Sequence, residues 1–497
     1  MKTTLNSTAL SATVADVDVP TGLFIDGSWR ESRDGARFDV FDPANGALIA
    51  AVADATTGDA LAALTSAHEA QRTWGRTSSR QRAEILRRAF DLIQERRQDF
   101  AAIITAEMGR PLPESLGEVD YGAEFFRWFA EQAAHLHGEF GPSPRGDFDI
   151  ATTKVPVGPS LLITPWNFPL AMGTRKIGAA LAAGCTVIIK PAAQTPLTMA
   201  FLIQILVEAG VPDGVVNFIP TSRAAQQSET LMVDARLRKV SFTGSTPVGS
   251  RLLEQAAKNV MRASMELGGN GPFLVLEHAN VPAAVEGAML AKFRNGGQSC
   301  VAANRFIVHS SVAQEFIGGV VERTKALKVA SGTTPGADIG PVIDDRQRQR
   351  VQRLVDEAVA EGALVLTGGR ALPGEGHFYE PTVLTDVPSK AAITTEEIFG
   401  PVAVIAVVDS DDAAIEMANE TPYGLAAYVY TDDLSRAFDA TSRIEAGMIG
   451  VNRGLVSEAG APFGGVKASG LGREGGHIGI EEYLETKYIA LNRNVLS

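Results

Sequence analysis

From residue 153 onwards the chain alternates short, fully apolar runs with longer segments of helical pattern, and this alternation restricts the possible folds more than any other feature. "SLLITP", "TVIIKP", "VVNFIP" and "KVSFTGS" each read as a buried strand, while residues 173–184 and 197–210 between them place apolar side chains at helical spacing. Strand, helix and second strand in succession form a right-handed crossover, so the series predicts a parallel sheet with ligands at the carboxyl ends of its strands. A second series starts near Glu266 and runs through "PFLVLE", "RFIVH", "ALVLTGG", "VAVIAVV", "LAAYVYT" and "GMIGVN". Two α/β lobes are therefore expected.

The flanking segments have other grammars. "GLFIDGSWR" and "DVFDPANGALIAAV" are apolar runs broken by Gly, Pro and Asn, which is hairpin chemistry. Residues 59–108 and the stretch "EFFRWFAEQAAHLHG" are amphipathic helices by their periodicity. The closing "YIALN" predicts an extended arm that pairs with another chain or with a hairpin around "DFDIATTKVPVG". The opening "MKTTLNSTALSATVADVD" has no continuous apolar core and reads as a flexible tail without a signal peptide.

Composition narrows the function classes. A net charge of −13 across 497 residues, with no dense Lys/Arg cluster, argues against a phosphate-tracking nucleic-acid surface. The apolar run "AALAAGCTVII" is far shorter than the roughly 18–20 residues a bilayer needs, so no membrane anchoring is expected. The two cysteines, Cys185 and Cys300, are too distant for a CxxC site, and a reducing cytoplasm is the expected compartment.

Several positions carry chemistry. Asn167, in "ITPWNFP" at a strand end, offers a side-chain N–H to a developing oxyanion; the alternative is an Asn in a Pro-rich turn. Lys190 ends "TVIIKP", where a Lys after a buried apolar run faces a ligand more often than a core. Gly244 and Ser245 lie between a strand and a helix, placed either to meet a phosphate or to cap an ordinary turn. The literal G-x-G-x-x-G at 470–475 lacks a preceding strand and reads as a decoy. Glu266, ahead of Gly268 and Gly269, is either a general base or a solvated carboxylate at a strand end. Cys300 follows "RNGGQS", and if "CVAANR" opens a helix, its thiol pKa is lowered; the alternative is an inert buried thiol.

Seven motifs occur in order: "PWNFP", "KPA" with "QTP", "FTGSTPVG", "MELGGN", "GQSC", "EEIFGPV" and "APFGG" followed by "KASGLGREGG". As a set they resemble the aldehyde dehydrogenase superfamily over nearly the whole chain, and within it the chain looks most like the succinate-semialdehyde dehydrogenases. The resemblance implies an aldehyde dehydrogenase-like fold: a Rossmann-type parallel-sheet cofactor lobe at 21–138 and 157–265, and an α/β catalytic lobe at 266–477. A small oligomerisation hairpin and arm at 139–156 and 478–497, and a tail at 1–20, complete it.

The same resemblance implies roles. Cys300 would attack the aldehyde, Asn167 and the Cys300 N–H would hold the alkoxide, and Glu266 would activate water against the thioester. Ile163, Trp166, Lys190, Gly244 and Ser245 would line the adenosine and phosphate side of NAD or NADP, with Glu397 and Phe399 at the nicotinamide ribose. NAD-preferring relatives carry a Glu three residues after the lysine, where this chain has Ala193; loss of that repulsion predicts that NADP is accepted and preferred.

Arg175, Arg294 and Ser457 match the residues that grip the far carboxylate of succinate semialdehyde. Ala302 stands where many relatives have a second cysteine, so a redox disulfide with the nucleophile is not expected. Arg453 departs from the usual uncharged or acidic residue and would either extend the anion site or face solvent. The alternatives are a dehydrogenase of glutarate semialdehyde or of neutral aldehydes, and a non-catalytic nucleotide-binding relative. A homodimer or homotetramer is expected.

Overall fold

The computed structural model describes residues 2–5 and 17–492. An eight-stranded sheet contains the four strands of the first predicted series and a fifth, Arg262–Glu266, that the sequence reading did not pick out, all parallel in the order Arg262–Glu266, Lys239–Thr243, Ser160–Ile163, Val187–Lys190 and Val216–Phe218. The chain enters at Ser160–Ile163, adds two strands on one side, then crosses back to add two on the other. The switch point falls between Ser160–Ile163 and Lys239–Thr243, whose parallel register ends at Ile163 opposite Phe242. At such a point the crossing loops diverge and leave a crevice at the strand ends, and that crevice holds most of the candidate residues.

A seven-stranded sheet carries the second series in the order Leu364–Thr367, Thr382–Thr385, Val402–Val408, Ala303–His309, Gly271–Val275, Ala426–Tyr430 and Met448–Val451. All its pairings are parallel except that of the edge strand Leu364–Thr367. Helices pack on the central strands, whose runs Phe273–Val275, Phe306–Val308 and Val402–Ile405 are apolar and buried. The closing segment Leu484–Asn492 pairs antiparallel with Phe148–Pro156 from Leu484 opposite Pro156 to Asn492 opposite Phe148. Of the two partners expected for this arm, the chain's own hairpin is the one it meets.

"FIDGSW" forms the hairpin Leu23–Ile25 and Ser28–Arg30, turning through Asp26 and Gly27 with φ of 54° and 75°. Two left-handed residues make the turn whose twist matches the strands. The expected tail is shorter than twenty residues. Val17–Pro20 pairs with Lys2–Leu5, and Val17 and Val19 are buried in the core, because their alternation with Asp18 gives one apolar strand face. Residues 1 and 6–16 of that expectation, and 493–497 of the expected arm, lie outside the described residues.

The amphipathic block becomes four helices, of which Leu112–Ala133 matters most for the site. It packs along Ala171–Ala183, the helix that follows "PWNFP". Among the described residues no helix is long and apolar enough to cross a membrane.

Candidate active site

A cleft of about 650 Å³ opens where the two sheets present their strand ends to each other. Trp166, Asn167, Gly244, Ser245, Glu266, Cys300, Glu397 and Phe399 all line it, so residues spread over some 230 positions of sequence converge on one space. Ile163 and Lys190 end neighbouring strands of the first sheet, paired with each other in register. Ala193 lines a second cavity, with Ser222 and Gln194. Arg175, Arg294 and Ser457 are not among the residues that line this cleft.

Asn167 is held by a dense set of hydrogen bonds. Its Nδ2 donates to the Gln298 carbonyl at 3.1 Å, and its own carbonyl accepts from Asn295 Nδ2 at 3.0 Å and from Arg110. Asn295 sits in the left-handed region at φ 55° and ψ 31°, a conformation Asn tolerates, and its backbone N–H donates to Glu114 at 2.9 Å. Glu118 accepts from the Leu170 and Ala171 N–H groups at 2.9 and 3.0 Å and pairs with Arg110 at 2.8 Å. The start of the Leu112–Ala133 helix thereby fixes both the Asn167 loop and the loop that leads to Cys300.

Cys300 departs from expectation. No helix starts at "CVAANR"; a turn leads into the strand Ala303–His309, because Phe306, Ile307 and Val308 favour a pleated, buried run. Without a helix N-terminus, burial and then the Glu266 carboxylate push the thiol well above its ordinary value, with Arg175 opposing them. The thiol is thus protonated at rest, and its activation needs a base.

Glu266 meets that description. It is buried, both carboxylate oxygens lack a hydrogen-bond partner, and burial raises it to about 7. A base poised near neutrality is suited to taking protons at physiological pH. Gly269 lets the two loops meet: a Cβ there would lie 2.5 Å from the Cys300 carbonyl oxygen, so no other residue fits beside it.

Of the remaining candidates, Ser245, Glu397 and Phe399 line the cleft and Lys190 ends a strand of the first sheet. Ser245 occupies the N-cap of Thr246–Ala257, yet its side chain makes no cap hydrogen bond, which leaves the hydroxyl and the helix N-terminus directed at the cleft. Lys190 is buried, has no ion-pair partner among the described residues, and is lowered to about 8 by burial. Phe399 adopts φ 53°, rare for an aromatic residue, and its ring meets Trp166 edge-on at 5.3 Å. Glu397 accepts from the Gly269 N–H at 3.2 Å. An uncapped helix end, an unpaired cation and an aromatic wall fit a dinucleotide.

Of the two arginines, Arg294 stacks over Phe168 at 5.3 Å and makes no ion pair among the described residues. Arg175 differs from the expectation of a charge awaiting ligand: its side chain is fully buried and its Nε lies 2.6 Å from Glu474. Its Nη1 is left without a partner. Ser457 follows Val456, which packs on the small apolar cluster that Cys300 also touches. Arg453 is exposed and donates to the Leu455 carbonyl at 2.7 Å, so of its two readings the solvent-facing one holds.

Known proteins agree with this geometry. The sequence model of the aldehyde dehydrogenase family matches residues 29–489. The chain belongs to the aldehyde dehydrogenase family. It is 53% identical to a succinate-semialdehyde dehydrogenase of Paenarthrobacter nicotinovorans over 89% of this chain and 99% of that one. It is 43% identical to the Escherichia coli succinate-semialdehyde dehydrogenase whose name specifies NADP(+), over 94% and 97%. The crystal structure of succinate-semialdehyde dehydrogenase from Burkholderia pseudomallei superposes with a TM-score of 0.94 at 41% identity, covering 95% of this chain and 98% of that one.

This aldehyde dehydrogenase, an NAD(P)-dependent enzyme, has site residues that its sequence did not single out. Gln347 and Arg350 line the cleft, and Gln347 fixes the Phe399 carbonyl at 2.8 Å. Glu474 lies inside the G-x-G-x-x-G decoy and pairs with Arg175 and Lys176, each some 298 residues away. Only an unpaired acid in a glycine loop hinted at it.

Proposed function

We propose that this enzyme oxidises succinate semialdehyde, or a similar ω-carboxy aldehyde, to the corresponding acid. The observation that carries the reading is Arg294, a guanidinium over the Phe168 ring that makes no direct ion pair among the described residues, its charge felt only at longer range by Glu114 and Glu118. A cation without a direct partner beside an apolar wall is suited to a substrate that brings its own carboxylate. The names of the relatives point to the same substrate class.

In this reading Glu266 takes the Cys300 proton and the thiolate adds to the aldehyde carbon. The alkoxide accepts hydrogen bonds from the Asn167 side-chain amide and the Cys300 N–H. The bound dinucleotide supplies the hydride acceptor. Cys300 then carries the acyl group as a thioester, and Glu266, once it has released the thiol proton to solvent, draws a proton from the water that hydrolyses it and so returns the thiolate as the leaving group. Lys190 and Ser245 would hold the adenosine and phosphate end, and Glu397 and Phe399 the nicotinamide ribose.

NADP is the preferred cofactor in this proposal. Ala193 brings no carboxylate against a 2′-phosphate, and Lys190 is an unpaired charge at the adjacent strand end. Exposed Tyr488 and Ile489 on the outer strand support a dimer or dimer of dimers. Two free cysteines support a reducing cytoplasm.

The test is steady-state turnover of succinate semialdehyde, glutarate semialdehyde and butanal, each with NAD and NADP, read by absorbance of the reduced cofactor. Highest kcat/KM for butanal refutes the carboxylate reading; strong preference for NAD refutes the cofactor reading.

A further inference from the structure

Tyr121 lies one turn beyond Glu118 on the Leu112–Ala133 helix, whose start is bolted to the Asn167 loop. Its ring packs on Phe168, Ala171 and Met172 and meets Phe125 edge-on at 5.0 Å. Those same two phenylalanines carry the arginines: Arg294 is over Phe168 at 5.3 Å and Arg175 is 5.8 Å from the Phe125 centroid. Arg175 sits more closely over Phe463, at 4.1 Å, so Tyr121 is wedged between one ring that seats Arg294 and one that flanks Arg175.

Two polar atoms in this wedge are buried and unsatisfied, the Tyr121 hydroxyl and Arg175 Nη1. Buried polar atoms are nearly always paired; the Tyr121 oxygen can accept from Arg175 beside it, but the phenol proton is then left with no acceptor. What remains unmatched is therefore donors: the phenol O–H, the remaining N–H groups of Arg175 and the Arg294 guanidinium. The partner must therefore be an acceptor, and beside two cations it is an anion. Burial raises the phenol despite the lowering influence of Arg175 and Arg294, so the hydroxyl keeps its proton as a donor.

We propose that the Tyr121 hydroxyl donates a hydrogen bond to the far carboxylate of the substrate, forming with Arg294 and the free nitrogen of Arg175 a three-donor site that selects ω-carboxy aldehydes. The assignment rests on the substrate reading above and adds to it a specificity-determining residue. A neutral aldehyde leaves the hydroxyl unpaired. A carboxylate satisfies it, and hydrogen bonds to charged acceptors are the stronger kind.

Tyr121→Phe removes one oxygen and keeps the ring packing. In the full-length enzyme it should raise KM for succinate semialdehyde about tenfold or more, with kcat within about twofold, and leave KM for butanal unchanged or lower. The inhibition constant of succinate, which presents the same carboxylate, should rise by a similar factor. Equal losses on both aldehydes, or no change on either, overturn the proposal. Arg294→Gln separates the two claims: selective loss there with an unaffected Tyr121→Phe leaves the substrate reading standing and removes Tyr121 from it. If the unsubstituted enzyme prefers butanal, both fall together.

Discussion

Arg175 stands between two carboxylates, with Nε 2.6 Å from Glu474 and Nη2 4.0 Å from Glu266. The expected general base is thereby coupled through one guanidinium to an acid on a distant glycine loop. Glu474 raises Glu266, whereas Arg175 and Lys176 lower it. Replacing Glu474 by Gln removes the raising charge and frees both cations to act on Glu266. The limb of the pH–kcat profile that rises near pH 7 should then move to lower pH, as followed by initial rates between pH 5 and 9; a shift to higher pH contradicts the coupling.

Glu266→Gln should cut turnover by about 10²–10⁴-fold, the usual range for a lost acid–base group. The same change removes the carboxylate that pushes the Cys300 thiol up. Alkylation by iodoacetamide should then reach half its limiting rate at a lower pH than in the parent enzyme. Slower turnover with an unmoved alkylation midpoint would separate Glu266 from the thiol.

The two arginines should fail differently. Arg294→Gln is expected to lower kcat/KM for succinate semialdehyde by about 10–100-fold while sparing butanal, since the guanidinium makes no direct ion pair among the described residues. Arg175→Ala leaves Glu474 buried against Lys176 alone, and breaking such a pair costs about 3–5 kcal/mol. It should lower the urea midpoint and impair both aldehydes. Equal stability for the two variants contradicts the structural share assigned to Arg175.

In the proposed cofactor site, Ala193→Glu would place a carboxylate at the adenosine end. KM for NADP should rise by about a hundredfold or more, with KM for NAD falling or constant, because a like charge against the 2′-phosphate costs several kcal/mol. Unchanged discrimination between the cofactors would move the selecting residue elsewhere in the cavity that Ala193 shares with Ser222.

Much of this was readable from local sequence. "SLLITPWNFP" places Asn167 beyond a buried strand, and "KVSFTGS" does the same for Gly244 and Ser245, so their convergence follows from the parallel order alone. What local sequence does not carry is the identity of distant partners. Glu474 meets Arg175 across 299 positions, and nothing near either residue encodes the pairing. Tyr121 falls in an amphipathic helix, where an aromatic residue reads as core. Cys300 misled for a related reason: the small residues after it suit a helix start, but the branched run at 306–308 draws the segment into the second sheet and reverses the sign of its thiol shift.

Asn167 rides on the loops of one sheet and Cys300 on those of the other, and Asn295 and Gln298 stitch them together with amide hydrogen bonds of about 3 Å. The proposed oxyanion pocket would thus serve as an alignment gauge between the two sheets. A slide of one ångström between the sheets costs on the order of a hundredfold in rate while every strand remains intact. Mild denaturant should silence this enzyme well before its circular dichroism changes, and the residues that set that threshold are the ones that touch no substrate.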